Sequence, residues 1–165
     1  MEHDEVSDCG DVYAVEHRWL RAHVEKCMRE LWDDAPVHFD DDGDIPFRAG
    51  TAAVWVSVRS REPRLQVFAH AAHGVKPTAL VLRELNEVCG RSLFAKVHLV
   101  AGVVMVEAVV PAEGVSARTL RMAIDAVASV ANDLGVMVAT VFGGATPFED
   151  ESEAAQQRGV DEEGS

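Results

Sequence analysis

The sequence predicts an α+β domain, an antiparallel sheet flanked by helices in the order α-β-β-β-α-β-β-α. Three patterns carry this. Segments 11–33, 78–91 and 116–142 space their apolar residues as one face of a helix does. Segments 53–71 and 95–110 each split into two alternating runs about a turn, the mark of a hairpin. Hairpins set between separate helices, rather than strands alternating strictly with helices, favour an antiparallel sheet.

In the first helix Val12, Val15, Trp19, Leu20, Val24, Cys27, Met28 and Leu31 form the apolar stripe, with Asp11 placed to cap its start and Pro36 to enforce its stop. From Pro36 to Phe47 the chain reads as a short strand, an acidic glycine-containing turn and a return.

The first hairpin pairs 53–59 with 64–71 across Ser60-Arg61-Glu62-Pro63. If Arg59 faces Arg64, then Val54, Val56 and Val58 oppose Ala69, Val67 and Leu65 on a wholly apolar face. The other face sets Trp55 against Phe68, Ser57 against Gln66 and His70 beside Ala53. In the second hairpin a two-residue turn at Ala101-Gly102 puts Lys96 opposite Glu107, a favourable pair, with Val97 against Val106 and Leu99 against Val104. Ala101 suits such a turn poorly, so a longer loop is the alternative.

Between the hairpins, Thr78 caps a helix whose stripe is Leu82, Leu85 and Cys89 and which Gly90 ends. The last helix follows Pro111 with Ser116 as its cap. Its seam is Leu120, Ile124, Val127, Ala131, Leu134, Val138 and Val141, widened by Met122, Ala123, Val130 and Met137. The run Asn132-Asp133-Leu134-Gly135 could stop it and leave 136–142 as a strand; continuity of the seam favours helix. Residues 11–148 thus form a single domain, between acidic ends at 1–10 and 149–165 that are expected to be disordered.

Charge excludes some partners. The chain of 165 residues carries a net charge of −13, unevenly. Acids crowd the first eleven residues, the run Asp40–Asp44 and the stretch from Glu149 onward, and the body between is nearly neutral. Such ends repel phosphate, so nucleic acid is not an expected partner. No apolar run is expected to reach the length of a bilayer span, the start of the chain does not resemble a secretory signal, and Cys9, Cys27 and Cys89 form no disulfide framework. These features predict a cytoplasmic protein with no membrane partner.

Candidate chemical sites are weak. Counted from Asp40, the sixth and twelfth positions of a calcium loop hold Ile45 and Thr51 where Gly and Glu are required, so the acidic run reads as an exposed turn. His70, His73 and His98 lack further zinc ligands at matching spacing. There is no G-x-S-x-G and no phosphate-cradling loop, and Gly143-Gly144 reads as a helix stop. Neither catalytic residue nor metal nor cofactor is expected.

The second sheet face is the informative one. It mixes Trp55, Phe68 and Met105 with His70, His98, Lys96 and Glu107, a composition suited to a surface covered only at times. The occupant could be the second helix, a second copy of the chain, or an extended segment of another protein.

Three segments also carry a family resemblance: Asp42-Gly43-Asp44-Ile45-Pro46, the helix Leu82-Arg83-Glu84-Leu85-Asn86-Glu87-Val88, and Phe142-Gly143-Gly144 with Pro147-Phe148. With the element order, they make residues 12–148 similar to the bacterial YbjN and type III secretion chaperone-like superfamily. The resemblance implies a sandwich of helices and sheet, frequent homodimers, and binding of extended protein segments without ATP or a catalytic residue. A protein-binding, chaperone-like homodimer is therefore expected. The alternatives are a structural or regulatory dimer joined through the apolar surplus of the last helix, and, more remotely, a small-molecule enzyme or sensor with a deep polar pocket.

Overall fold

The chain runs α1 (Asp8–Leu31), β1 (Ile45–Ala49), β2 (Ala52–Arg59), β3 (Arg64–Ala72), α2 (Ala79–Arg91), β4 (Lys96–Val100), β5 (Val103–Pro111), a short 3-10 turn and α3 (Ala117–Phe142). The computed structural model describes residues 8–60 and 62–148, with side chains from Ala14 onward. The two ends expected to be disordered lie outside these residues, apart from 8–10, which begin α1.

The strands make one antiparallel sheet in the order β1-β2-β3-β5-β4. Both hairpins close in the predicted register: Trp55 faces Phe68, Val56 faces Val67, and Arg59 faces Arg64, while Lys96 faces Glu107 and Val97 faces Val106. The tight turn at Ala101-Gly102 forms, with φ of 49° and 80°, the two left-handed residues that a type I′ turn needs.

Aliphatic side chains from one sheet face build the core. Val54, Val56, Leu65, Val67, Val104 and Val106 are sealed from solvent under Leu120, Val127, Ala131 and Val138 of α3. Each of the larger aliphatics contributes about 1.5–3 kcal/mol by leaving water. The helix α1 adds Leu20, Val24 and Met28, and two imidazoles fasten it: His17 Nε2 donates to the Val58 carbonyl at 3.1 Å and His23 Nε2 to the Val115 carbonyl at 3.0 Å. Thr78 caps α2, and Ser116 with Thr119 forms a reciprocal capping box on α3.

Several expectations are corrected. The first helix starts at Asp8, so Asp11 lies inside it, and it ends at Leu31 where Asp33 and Asp34 turn left-handed. No strand forms at 36–39; β1 pairs instead with β2 through the tight Gly50-Thr51 turn. Gly90 sits within α2, which buries Val81 and Leu85 and leaves Leu82 outside. Val15, Trp19 and Val141 are exposed.

Segment 136–142 is helical, so α3 runs 26 residues. By length and composition it could cross a bilayer, contrary to the expectation that no stretch would; here its most buried stripe roofs the sheet. After α3 the chain doubles back as a strap. Ala145 exchanges two backbone hydrogen bonds with His73, at 2.9 and 3.0 Å, and Phe148 donates to the Thr51 carbonyl at 3.1 Å.

Candidate functional site

Among the described residues no helix lies over the second sheet face: α3 packs on β3 and β5 from the core side, and α1 and α2 pack against α3. The helix α2 packs on β4 and lines a groove of about 330 Å³ with α3, Val88 and Arg91 on one side and Val130 and Met137 on the other. It therefore shares the core side, and the expectation that it might cover the second face is not met.

The registers lay the open face out as rows across the strands. One row, from β1 to β4, reads Arg48, Ala53, His70, Met105, His98; the next reads Pro46, Trp55, Phe68, Glu107, Lys96. Trp55, Phe68, His70, His98 and Met105 are thereby contiguous, and each is half-buried. Trp55 stacks on Phe68 with centroids 5.3 Å apart and planes within 9°, and His70 tilts against Trp55 at 4.7 Å. Such ring contacts add about 0.5–1.5 kcal/mol beyond area burial and hold the cluster rigid.

A polar chain frames the rings. Arg59 lies over Phe68 and donates to Gln66 Oε1 at 2.7 Å, and Gln66 donates in turn to Glu107. Glu107 thus stands opposite Lys96 in register but spends its carboxylate on Gln66. Burial holds the His70 imidazole below its ordinary range, and the neighbouring His73 adds to the shift.

The histidines and acids show no convergence for chemistry. His70 and His98 are separated by the intervening Met105, and among the described residues no three His, Cys, Asp or Glu side chains gather to hold a metal. The turn residue Asp40 spends its Oδ1 on the backbone N–H groups of Asp42 and Asp44. Cys27 lies 3.8 Å from His23 Nε2, but that nitrogen carries its hydrogen toward the Val115 carbonyl and offers the thiol no lone pair. Burial also pushes the Cys27 thiol up, away from a reactive thiolate.

Two further apolar surfaces went unread in the sequence. Leu93 is 99% exposed and Phe94 59%, in the link between α2 and β4, with Leu80 and Leu82 exposed on α2 nearby in sequence. The signal was an apolar pair inside a loop at Ser92-Leu93-Phe94. On α1, Trp19 stacks on His23 and lines a groove of about 390 Å³ with Pro63 and Ala112; its helical spacing hid it in the stripe.

A family model described as T3SS (YopN, CesT) and YbjN peptide-binding chaperone 1 matches residues 18–150. No curated protein matches the chain. Among solved structures, the HopA1–SchA chaperone–effector complex contains a chain 16% identical, with a TM-score of 0.59, over 72% of this chain and 94% of that one. A chain of the ExsC–ExsE complex is 15% identical with a TM-score of 0.60, over 72% and 95%. YbjN from E. coli, described as a putative transcription regulator, is 14% identical with a TM-score of 0.46, over 68% and 92%. The first two likenesses show the fold: helices and an antiparallel sheet, as the sequence predicts.

Proposed function

From the premise that the chain belongs to the T3SS and YbjN peptide-binding chaperone 1 family, we propose that it holds an extended segment of another protein against its open sheet face, without catalysis, cofactor or ATP, and that it works as a homodimer. The observation that carries the reading is the stacked Trp55–Phe68–His70 cluster, half-buried with no helix above it among the described residues. A surface meant only for water would not order three rings. A surface permanently covered within the chain would not leave them half-exposed beside Lys96. The SchA and ExsC complexes support the reading in kind, since the first is a chaperone–effector complex by its own description.

The client is expected to lie extended, with apolar side chains on the rings and polar ones toward Gln66, Glu107 and Lys96. The reading also places the protein in the bacterial cytoplasm, with which the free thiols of Cys27 and Cys89 are consistent. Nucleic acid and membranes are not its partners in this account.

A photo-crosslinker at position 68 tests the site. It should capture a discrete segment of another protein in cells, and Trp55→Asp should cut the yield by about thirtyfold, as loss of a roughly 2 kcal/mol anchor would. Trp19→Asp, on α1, should leave the yield unchanged. Capture that survives Trp55→Asp and fails with Trp19→Asp would move the client to the other surface and end this assignment.

A further inference from the structure

The groove beside α1 is built around an indole that is exposed and yet held in place. Trp19 is 60% exposed. It stacks on His23 at 5.3 Å with planes within 8°, and His23 is itself fixed by its bond to the Val115 carbonyl. Stacking takes one face of the ring, and the exposed remainder borders a groove of about 390 Å³.

The walls come from three distant parts of the chain: α1, the turn between β2 and β3, and the 3-10 turn after β5. Pro63 and Ala112 make them apolar, and Glu16 and Glu113 supply the charge. Glu16 precedes Trp19 by one turn on the same side of α1. Both carboxylates are exposed, and among the described residues neither has an ion pair or a hydrogen bond. Glu25 on the same helix, by contrast, is paired with Arg29. No described Lys, Arg or His lines the groove.

An aromatic surface and two uncompensated carboxylates along an apolar channel are complementary to a cation on an apolar stem. Arginine meets each requirement. Its guanidinium is weakly hydrated, stacks flat on an indole and donates to carboxylates as a fork. Its methylenes can lie along Pro63 and Ala112. A lysine ammonium is compact and more strongly hydrated, so it gains less here. The net charge of −13 draws basic segments toward the molecule before they dock.

We propose that this groove is a second docking site, which takes an arginine side chain from a basic segment of a partner protein. It goes beyond the reading of the open face and does not depend on it. The helix α1 packs on the core side of the sheet, opposite Trp55 and Phe68.

The test titrates the full chain at low salt with the end-blocked peptide Gly-Arg-Gly-Arg-Gly, read by amide and indole NMR. The Trp19 indole N–H and the amides of Glu16 and Glu113 should move saturably, with a Kd in roughly the millimolar range, while the Trp32 and Trp55 indoles stay still. Trp19→Leu keeps both acids and should weaken binding about two- to fivefold, as loss of an exposed cation–π contact does. Glu16→Gln with Glu113→Gln keeps the ring and should weaken it about fivefold. These side chains are exposed, so both variants should fold. Undiminished binding by either variant, or shifts centred on Asp40–Asp44, would overturn the proposal by reducing the effect to overall acidity. Equal saturation by tetramethylammonium chloride would also overturn it, giving the groove to a small cation. The crosslink at position 68 and this titration read different residues and different ligands, so either can fail alone.

Discussion

His70 joins the ring cluster to the polar rows, and its environment has a cost that pH exposes. Burial disfavours the imidazolium, and His73 adds repulsion, so the folded protein holds this site neutral below the ordinary value of 6.5. As pH falls through that value the unfolded chain takes up its proton first. Stability tied to His70 is thus fully present above about 6.5 and is lost as pH falls toward the lower folded value. A single site of this kind contributes a slope of at most about 1.4 kcal/mol per pH unit. Urea unfolding at pH 7 and pH 5.5 should show His70→Asn losing less stability across that interval than the wild type. Equal losses in both proteins would place the acid sensitivity on other groups.

At the level of elements, the contact of α3 with β3 sets the positions of everything on the open face. A Cβ on Gly135 would lie 2.3 Å from the Ala71 carbonyl oxygen, which sits at the irregularity in the β3–β5 register. One turn earlier Asn132 Oδ1 accepts from Thr51 N at 2.8 Å and Thr51 Oγ1 at 3.0 Å, fixing the β1–β2 turn. Gly135→Ala should therefore destabilise the protein by about 1–3 kcal/mol in urea unfolding, although alanine is the better helix former by about 1 kcal/mol. A stabilised variant would mean that α3 does not approach β3 this closely. The same two residues show where the sequence was legible and where it was not. Asn132 and Gly135 offer a possible helix stop, since local rules read Asn and Gly as terminators, and the continuous seam rightly outweighs it; their partners, Thr51 and Ala71, are distant in the chain and invisible to any local window. Strand registers were readable because period-two alternation fixes which side chains share a face, and a one-residue slip would have put Val56 among the polar residues. The candidate face was readable for the same reason, through Trp55, Phe68 and His70. The exposure of Trp19 and Leu93–Phe94 was not, since a periodic or apolar residue gives no sign of whether a neighbour will cover it.

Across the whole molecule, that uncovered apolar surface falls into separate regions, and their separation would let the proposed dimer and the proposed client coexist. The open face is central to the sheet, whereas Leu93, Phe94 and Val100 lie in or beside β4, an edge strand. An edge strand with unpaired backbone groups and two large exposed apolar side chains at its entrance is a liability for a monomer. In the proposed homodimer a second copy would cover it: a two-fold axis beside β4 would set each copy's Leu93 and Phe94 against the other's β4 and α2, the self-complementary arrangement that such symmetry requires. The seam expected on α3 is narrower than the sequence suggested: Ile124, Val130 and Met137 are packed against the core, and Met122, Val136 and Val141 are left exposed. Light scattering at micromolar concentration should give about twice the chain mass of 17.9 kDa. Leu93→Asp with Phe94→Asp should halve it while leaving the unfolding midpoint measured at low protein concentration nearly unchanged, since neither side chain supports the core. A wild-type protein that scatters as a single chain would remove the dimer from the account and leave the client as the only partner for both surfaces.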